Sequence, residues 1–70
     1  MNQLKSLIEE MLVSYRENDC FEEWQLNQIL SFAEQATDKI SRNLYKFYII
    51  NTQIASNGGV PVLKQVYNMI

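Results

Sequence analysis

The sequence has very few of the residues from which catalytic and metal sites are usually built. Its 70 residues include no histidine and a single cysteine, Cys20. One cysteine cannot form a disulfide framework within the chain, and without histidine the common zinc ligand sets are incomplete. General acid and base chemistry would therefore depend on carboxylates, lysine, tyrosine or Cys20.

The carboxylates and Cys20 do not form a catalytic pattern. Glu9/Glu10 and Glu22/Glu23 are adjacent pairs on predicted helices, so the side chains of each pair point about 100° apart and do not converge on one atom. Cys20 has acidic neighbours and no histidine partner, which favours a structural cysteine over a nucleophile. We therefore expect no catalytic residue, no metal, no cofactor and no small-molecule substrate, and predict that the protein is not an enzyme.

Long apolar runs are also missing. The longest, Phe47-Tyr48-Ile49-Ile50, has four residues, whereas a helix that crosses a bilayer needs about 20. The first residues continue into an amphipathic pattern and lack the apolar core of a secretory signal. The sequence thus predicts no membrane segment and a cytoplasmic location. Its 47% hydrophobic residues and net charge of −2 are typical of a folded domain.

Glycine and proline are scarce and lie together, at Gly58, Gly59 and Pro61. Before them the apolar residues recur with the helical period, and no stretch alternates with period two. A first helix is predicted from Asn2, as N-cap, to an exit at Asn18-Asp19. A final helix is predicted after the glycines, with Pro61 in its first turn.

A long second helix is predicted between these two, with Asp19 as N-cap and Glu22 completing a capping box. Its apolar seam follows a heptad pattern to about Ser56, with Leu26, Ala33, Ile40, Phe47 and Ile54 at one position. Such a helix of roughly 36 residues would be about 54 Å long, more than the short helices can cover. Either it breaks near Thr37-Asp38, or another chain covers its seam. The fold class is therefore predicted as all-α, a three-helix hairpin or bundle in a single domain (1–70), and oligomeric.

Charge is distributed unevenly along the chain. Residues 1–36 hold two bases and seven acids, a net charge of −5, and residues 37–70 hold four bases and one acid, a net charge of +3. Lys39, Arg42 and Lys46 share one helical face and form a candidate anion-binding group. Three cations on an acidic chain are weak support for DNA binding, and a solvated face partly paired by Asp38 also accounts for them.

The C-terminal third combines apolar residues with little charge. From Phe47 to Leu63 no residue is charged, which is typical of the buried centre of an interface. The same pattern is expected if the short helices cover this segment within one monomer. The predicted partner-binding residues are Tyr45, Phe47, Tyr48, Ile49, Val62, Val66, Tyr67 and Ile70. Phe21 and Trp24 form a second candidate patch.

These features favour a small, non-enzymatic helical interaction protein that acts as an adaptor, a chaperone-like protein or an inhibitor subunit. Its partner would be a protein, either a second copy in a homodimer or another chain in a complex. The alternative is a small phage- or plasmid-type regulator that uses Lys39, Arg42 and Lys46 on nucleic acid. A steep salt dependence of DNA binding would separate the two hypotheses.

Overall fold

The computed structural model describes residues 2–53 and 59–70, which form four α-helices. These are α1 (Asn2–Asn18), α2 (Glu23–Gln35), α3 (Asp38–Thr52) and α4 (Val60–Met69). The described ranges contain no strand, and the predicted all-α class is confirmed. The predicted number of three helices is wrong, because the long second helix is two helices. Ile54, Ser56 and Gly58, on which part of that prediction rested, lie outside the described residues.

The break between α2 and α3 falls at residues 36 and 37, where Ala36 and Thr37 have extended backbones. Asp38 follows with a φ of 50°, a left-handed conformation that aspartate adopts more readily than most residues. The Ser41 hydroxyl then donates a hydrogen bond of 2.7 Å to the carbonyl of Ala33, which fixes the start of α3 against the end of α2. The chain thus folds back where the sequence allowed a break, and the length mismatch between helices disappears.

The connection from α1 to α2 differs from its prediction. Asp19 has a φ of 59° and its backbone N–H donates to the Tyr15 carbonyl at 2.7 Å, so it terminates α1 in the left-handed manner. The prediction of Asp19 as N-cap of the next helix is therefore wrong. Glu22 is the N-cap, and its N–H donates to Oε1 of the buried Gln25 at 2.9 Å.

The four helices pack in a ring around one core. Within the described residues α1 contacts α2 and α4, and α3 contacts the same two helices. The core consists of the buried apolar residues Leu4, Leu7, Ile8, Met11, Ile29, Ala33, Leu44, Phe47, Leu63 and Val66. The accessible surface is 4616 Å², close to the roughly 4500 Å² typical of a compact monomer of this mass. The helices therefore enclose their own core.

Aromatic rings connect the loop before α2 to this core. The Phe21 ring stacks on Tyr15 at 4.8 Å and meets Phe47 edge-on at 5.1 Å, both ordinary aromatic geometries. Phe21 thus packs inward, and only Trp24 of the predicted second patch remains exposed. None of the helices in the described ranges combines the length and apolarity needed to cross a membrane.

Candidate protein-binding surface

The structure does not form one continuous surface from the eight predicted partner-binding residues. Phe47 and Val66 are fully buried, so their assignment to a partner surface is wrong. The physical reason is that α4 packs against α3, so the inward side chains of both helices enter the core. The low charge of this part of the sequence therefore reflects, at these two positions, the core of the monomer.

The other six residues divide into two groups. Val62, Tyr67 and Ile70 pack partly against the core, and Tyr48 is half-buried. Tyr45 and Ile49 remain exposed, with 39% and 43% of their surface accessible. The two are one helical turn apart on α3. They are two of the five large apolar side chains exposed in the described residues.

Tyr45 and Ile49 share their side of α3 with all three predicted anion-binding cations. These five positions cover an arc of roughly 120° on the helical wheel, and every one of the residues is exposed. We call this surface the α3 outer face; it consists of Lys39, Arg42, Tyr45, Lys46, Ile49, Thr52 and Gln53. The sequence pattern predicted separate roles for the cations and the apolar residues, whereas the structure places them side by side on one face.

Asp38 borders the α3 outer face and is itself exposed. Asp38 is the only acid on α3 and lies at its first position. Beside the face, Arg42 and Lys39 line an open cleft together with Asp38 and with Met69 at the end of α4. Arginine, tyrosine and methionine are enriched in protein interfaces, whereas lysine is depleted there. The face therefore offers a mixed apolar and cationic surface.

A second apolar surface lies between α1 and α2. It is a shallow cleft of about 460 Å³, which we call the Trp24 cleft, lined by Gln3, Ser6, Leu7, Glu10, Trp24, Gln28 and Phe32. Trp24 is 47% exposed, and its indole N–H donates to Oε2 of Glu22 at 2.6 Å. This hydrogen bond holds the ring in place at the edge of the cleft.

Sequence reasoning found Trp24 but not the cleft around it. The cleft residues of α1 are Gln3, Ser6, Leu7 and Glu10, and those of α2 are Trp24, Gln28 and Phe32. Each set follows the helical spacing of three or four residues. That spacing could have identified two facing stripes, but it could not show that α1 and α2 are neighbours.

Tyr67, a predicted partner-binding residue, instead joins α4 to α1. Its hydroxyl donates a hydrogen bond of 2.6 Å to Oε2 of Glu9, and the Lys5 ammonium lies 5.2 Å from the centre of its ring. The hydrogen bond to Glu9, then burial and the charge of Glu9, raise the pKa of Tyr67 above its ordinary value of 10.0. These contacts assign the Tyr67 side chain to the monomer's own packing.

Replacing Tyr67 by phenylalanine should remove from the tyrosine titration the high-pH component that belongs to the raised pKa of Tyr67. Because the pKa is raised in the folded state, the stabilisation is complete below pH 10.0 and is lost as the pH rises through the folded-state pKa. Tyrosinate absorbance measured against pH tests this. Tyr45→Phe, which alters an exposed tyrosine, is the matched control and should keep the high-pH component. A high-pH component that persists in Tyr67→Phe would contradict the assignment of the raised pKa to Tyr67.

Comparisons with protein-family models, with curated proteins and with solved structures found no match to this chain. The chemistry of its two surfaces is therefore the basis for a functional proposal.

Proposed function

We propose that this chain is a small, non-enzymatic helical module that binds a protein partner through the α3 outer face. The observation that carries the proposal is the exposure of Tyr45 and Ile49 one turn apart, with Arg42 and Lys46 beside them. A folded chain that encloses its core has no internal need for this pair. Tyrosine and arginine are also the residue types on which binding energy at interfaces is most often concentrated.

The mechanism is helix-face docking. The partner covers Tyr45 and Ile49 with apolar side chains, and the flanking cations select a surface that carries carboxylates. Exposed acids among residues 1–36, such as Glu17 and Glu34, keep other parts of the surface solvated. Adaptor, chaperone-like and inhibitor roles are all compatible with such docking.

The experiment uses a photo-crosslinking phenylalanine analogue at position 45, compared with the same analogue at position 13. Val13 is 53% exposed on α1 and lies outside both surfaces, so it provides a matched control. We expect defined crosslinked products from position 45, in cells of the source organism or with purified protein, and none from position 13. Equal crosslinking at the two positions, or none at position 45, would contradict the proposal.

An Ile49→Asp substitution should weaken partner binding at least tenfold, a loss of about 1.4 kcal/mol that is ordinary for a residue central to an interface. The reason is that a carboxylate replaces the apolar side chain at the centre of the contact. Val13→Asp is the matched control and should bind like the wild type. Circular dichroism should show both variants folded, since both positions are exposed. Unchanged affinity of Ile49→Asp in a binding titration would contradict this role.

One observation also favours the second candidate, a nucleic-acid-linked regulator. Lys39, Arg42 and Lys46 are all exposed on one side of α3, where they could contact successive phosphates. Three such contacts would give a salt slope of about −2.7 for duplex DNA. Arg42→Gln should reduce that slope, and Lys64→Gln on α4 should leave it unchanged. Both results together would support this candidate in place of the protein-binding module.

A further inference from the structure

We propose that the surface bound by the α3 outer face is the Trp24 cleft of a second copy, so that the chain associates head to tail. The inference rests on the proposed function, because it names the partner of the same face. The Trp24 cleft is lined by the apolar side chains of Leu7, Phe32 and Trp24, and the Trp24 indole N–H donates a hydrogen bond to Glu22. A groove between two helices with an apolar lining is a common receptor for an amphipathic helix.

The charges of the two surfaces are complementary. Glu10 lines the Trp24 cleft and Glu22 holds its indole ring, and Glu23 lies beside them at the start of α2. The α3 outer face has Lys39, Arg42 and Lys46, and Asp38 at its border is the one acid near them on α3. This separation follows the helices: the residues up to position 36 carry a net charge of −5 and those after it +3. Complementary charge favours contact between unlike surfaces of two copies.

The side chains of the face also suit the cleft. Arg42, Tyr45, Lys46 and Ile49 lie on one side of α3 and are all exposed, so one groove can contact all four. Tyr45 and Ile49 provide the apolar groups for the cleft lining, and a guanidinium or ammonium group beside them can lie over the exposed indole ring. Tryptophan is the best aromatic partner for such a cation.

The same charges disfavour the symmetric alternatives. An α3 outer face packed against its own copy would bring two sets of three cations together with only one Asp38 on each to offset them. Two Trp24 clefts in contact would oppose their glutamates. The face and the cleft share no residue, since one lies on α3 and the other between α1 and α2. Each copy can therefore use both surfaces at once, which yields a ring or an open chain.

Complementation between two variants tests this arrangement by sedimentation velocity. We expect wild-type assemblies larger than 8.2 kDa that dissociate at high salt. Trp24→Ala damages only the cleft and Ile49→Asp only the face, so each should be monomeric alone. Mixed together they should form a one-to-one dimer, because one supplies an intact face and the other an intact cleft. Val13→Asp should associate like the wild type.

A monomeric mixture of variants that circular dichroism shows folded would overturn the inference. So would Trp24→Ala associating on its own, which would indicate contact between two α3 faces. Glu10→Lys is a second cleft variant that retains Trp24 and lies at an exposed position. It should also weaken assembly at least tenfold. Unchanged assembly of this variant would count against the proposal. If the wild type is monomeric at every concentration, head-to-tail assembly is wrong, while crosslinking from position 45 to another protein would still uphold the proposed function.

Discussion

Replacing Phe47 by alanine should lower the free energy of unfolding by about 3–5 kcal/mol. The Phe47 side chain is fully buried at the centre of the ring of helices, and it meets the Phe21 ring edge-on at 5.1 Å. Alanine would leave a cavity that α2 and α4 cannot fill without moving. A domain of 70 residues has a total stability of only about 4–10 kcal/mol, so the variant should be partly or wholly unfolded.

Thermal and urea unfolding followed by circular dichroism measure this effect. A loss of 3 kcal/mol corresponds to a fall in the melting temperature of at least about 12 °C for a domain of this size. Tyr45→Ala is the matched control, since it removes an aromatic ring from the exposed side of the same helix and should change the stability by about 0.5 kcal/mol or less. Similar losses in the two variants would contradict the placement of Phe47 in the core.

The two positions show what the sequence pattern could and could not predict on α3. The heptad seam identified Phe47 as an inward residue, and that prediction is confirmed by its burial. The absence of charge around it also suggested a partner surface, because burial by α4 and burial by another chain leave the same signature in a sequence. Only the packing of α4 on α3 decides between them.

The same apolar seam explains why the sequence indicated a possible break near Thr37-Asp38 but did not require one. Ala33 and Ile40 are seven residues apart and both remain on the inner side, one buried and one partly buried. The heptad register is thus preserved across the break, so periodicity does not reveal it. Neither glycine nor proline marks the site; Asp38 takes the left-handed conformation instead. The Ser41–Ala33 hydrogen bond depends on tertiary geometry that the sequence does not encode locally.

The candidate surface was predictable only in parts. The cations and the exposed pair on α3 were each identifiable from helical spacing, and the structure adds that they share one side. The Trp24 cleft depends on the contact of α1 with α2, which no short-range pattern reveals. The α3 outer face could therefore be identified from one helix, whereas the cleft required the packing of two.

Replacing Gly59 by alanine is expected to have the second large effect, a loss of roughly 2–4 kcal/mol. Gly59 precedes α4 with a φ of 99°, which L-residues rarely adopt. A Cβ atom there would lie 2.8 Å from Cδ1 of Phe47 and 2.9 Å from Nδ2 of Asn51. Neither neighbour can easily move, since Phe47 is buried and the Asn51 amide donates to the Phe47 carbonyl at 2.9 Å.

A double-mutant cycle with Phe47→Leu separates the two causes of this loss. The smaller leucine makes room for the new methyl group, so Gly59→Ala should cost at least about 0.5 kcal/mol less in that background. The part of the loss caused by the positive φ should remain, because leucine at position 47 does not change the backbone at position 59. Urea unfolding of the four proteins gives the coupling. If the stability losses of the two single variants simply add, the new Cβ does not press on the Phe47 ring. A Gly59→Ala variant as stable as the wild type would contradict the left-handed backbone conformation at Gly59.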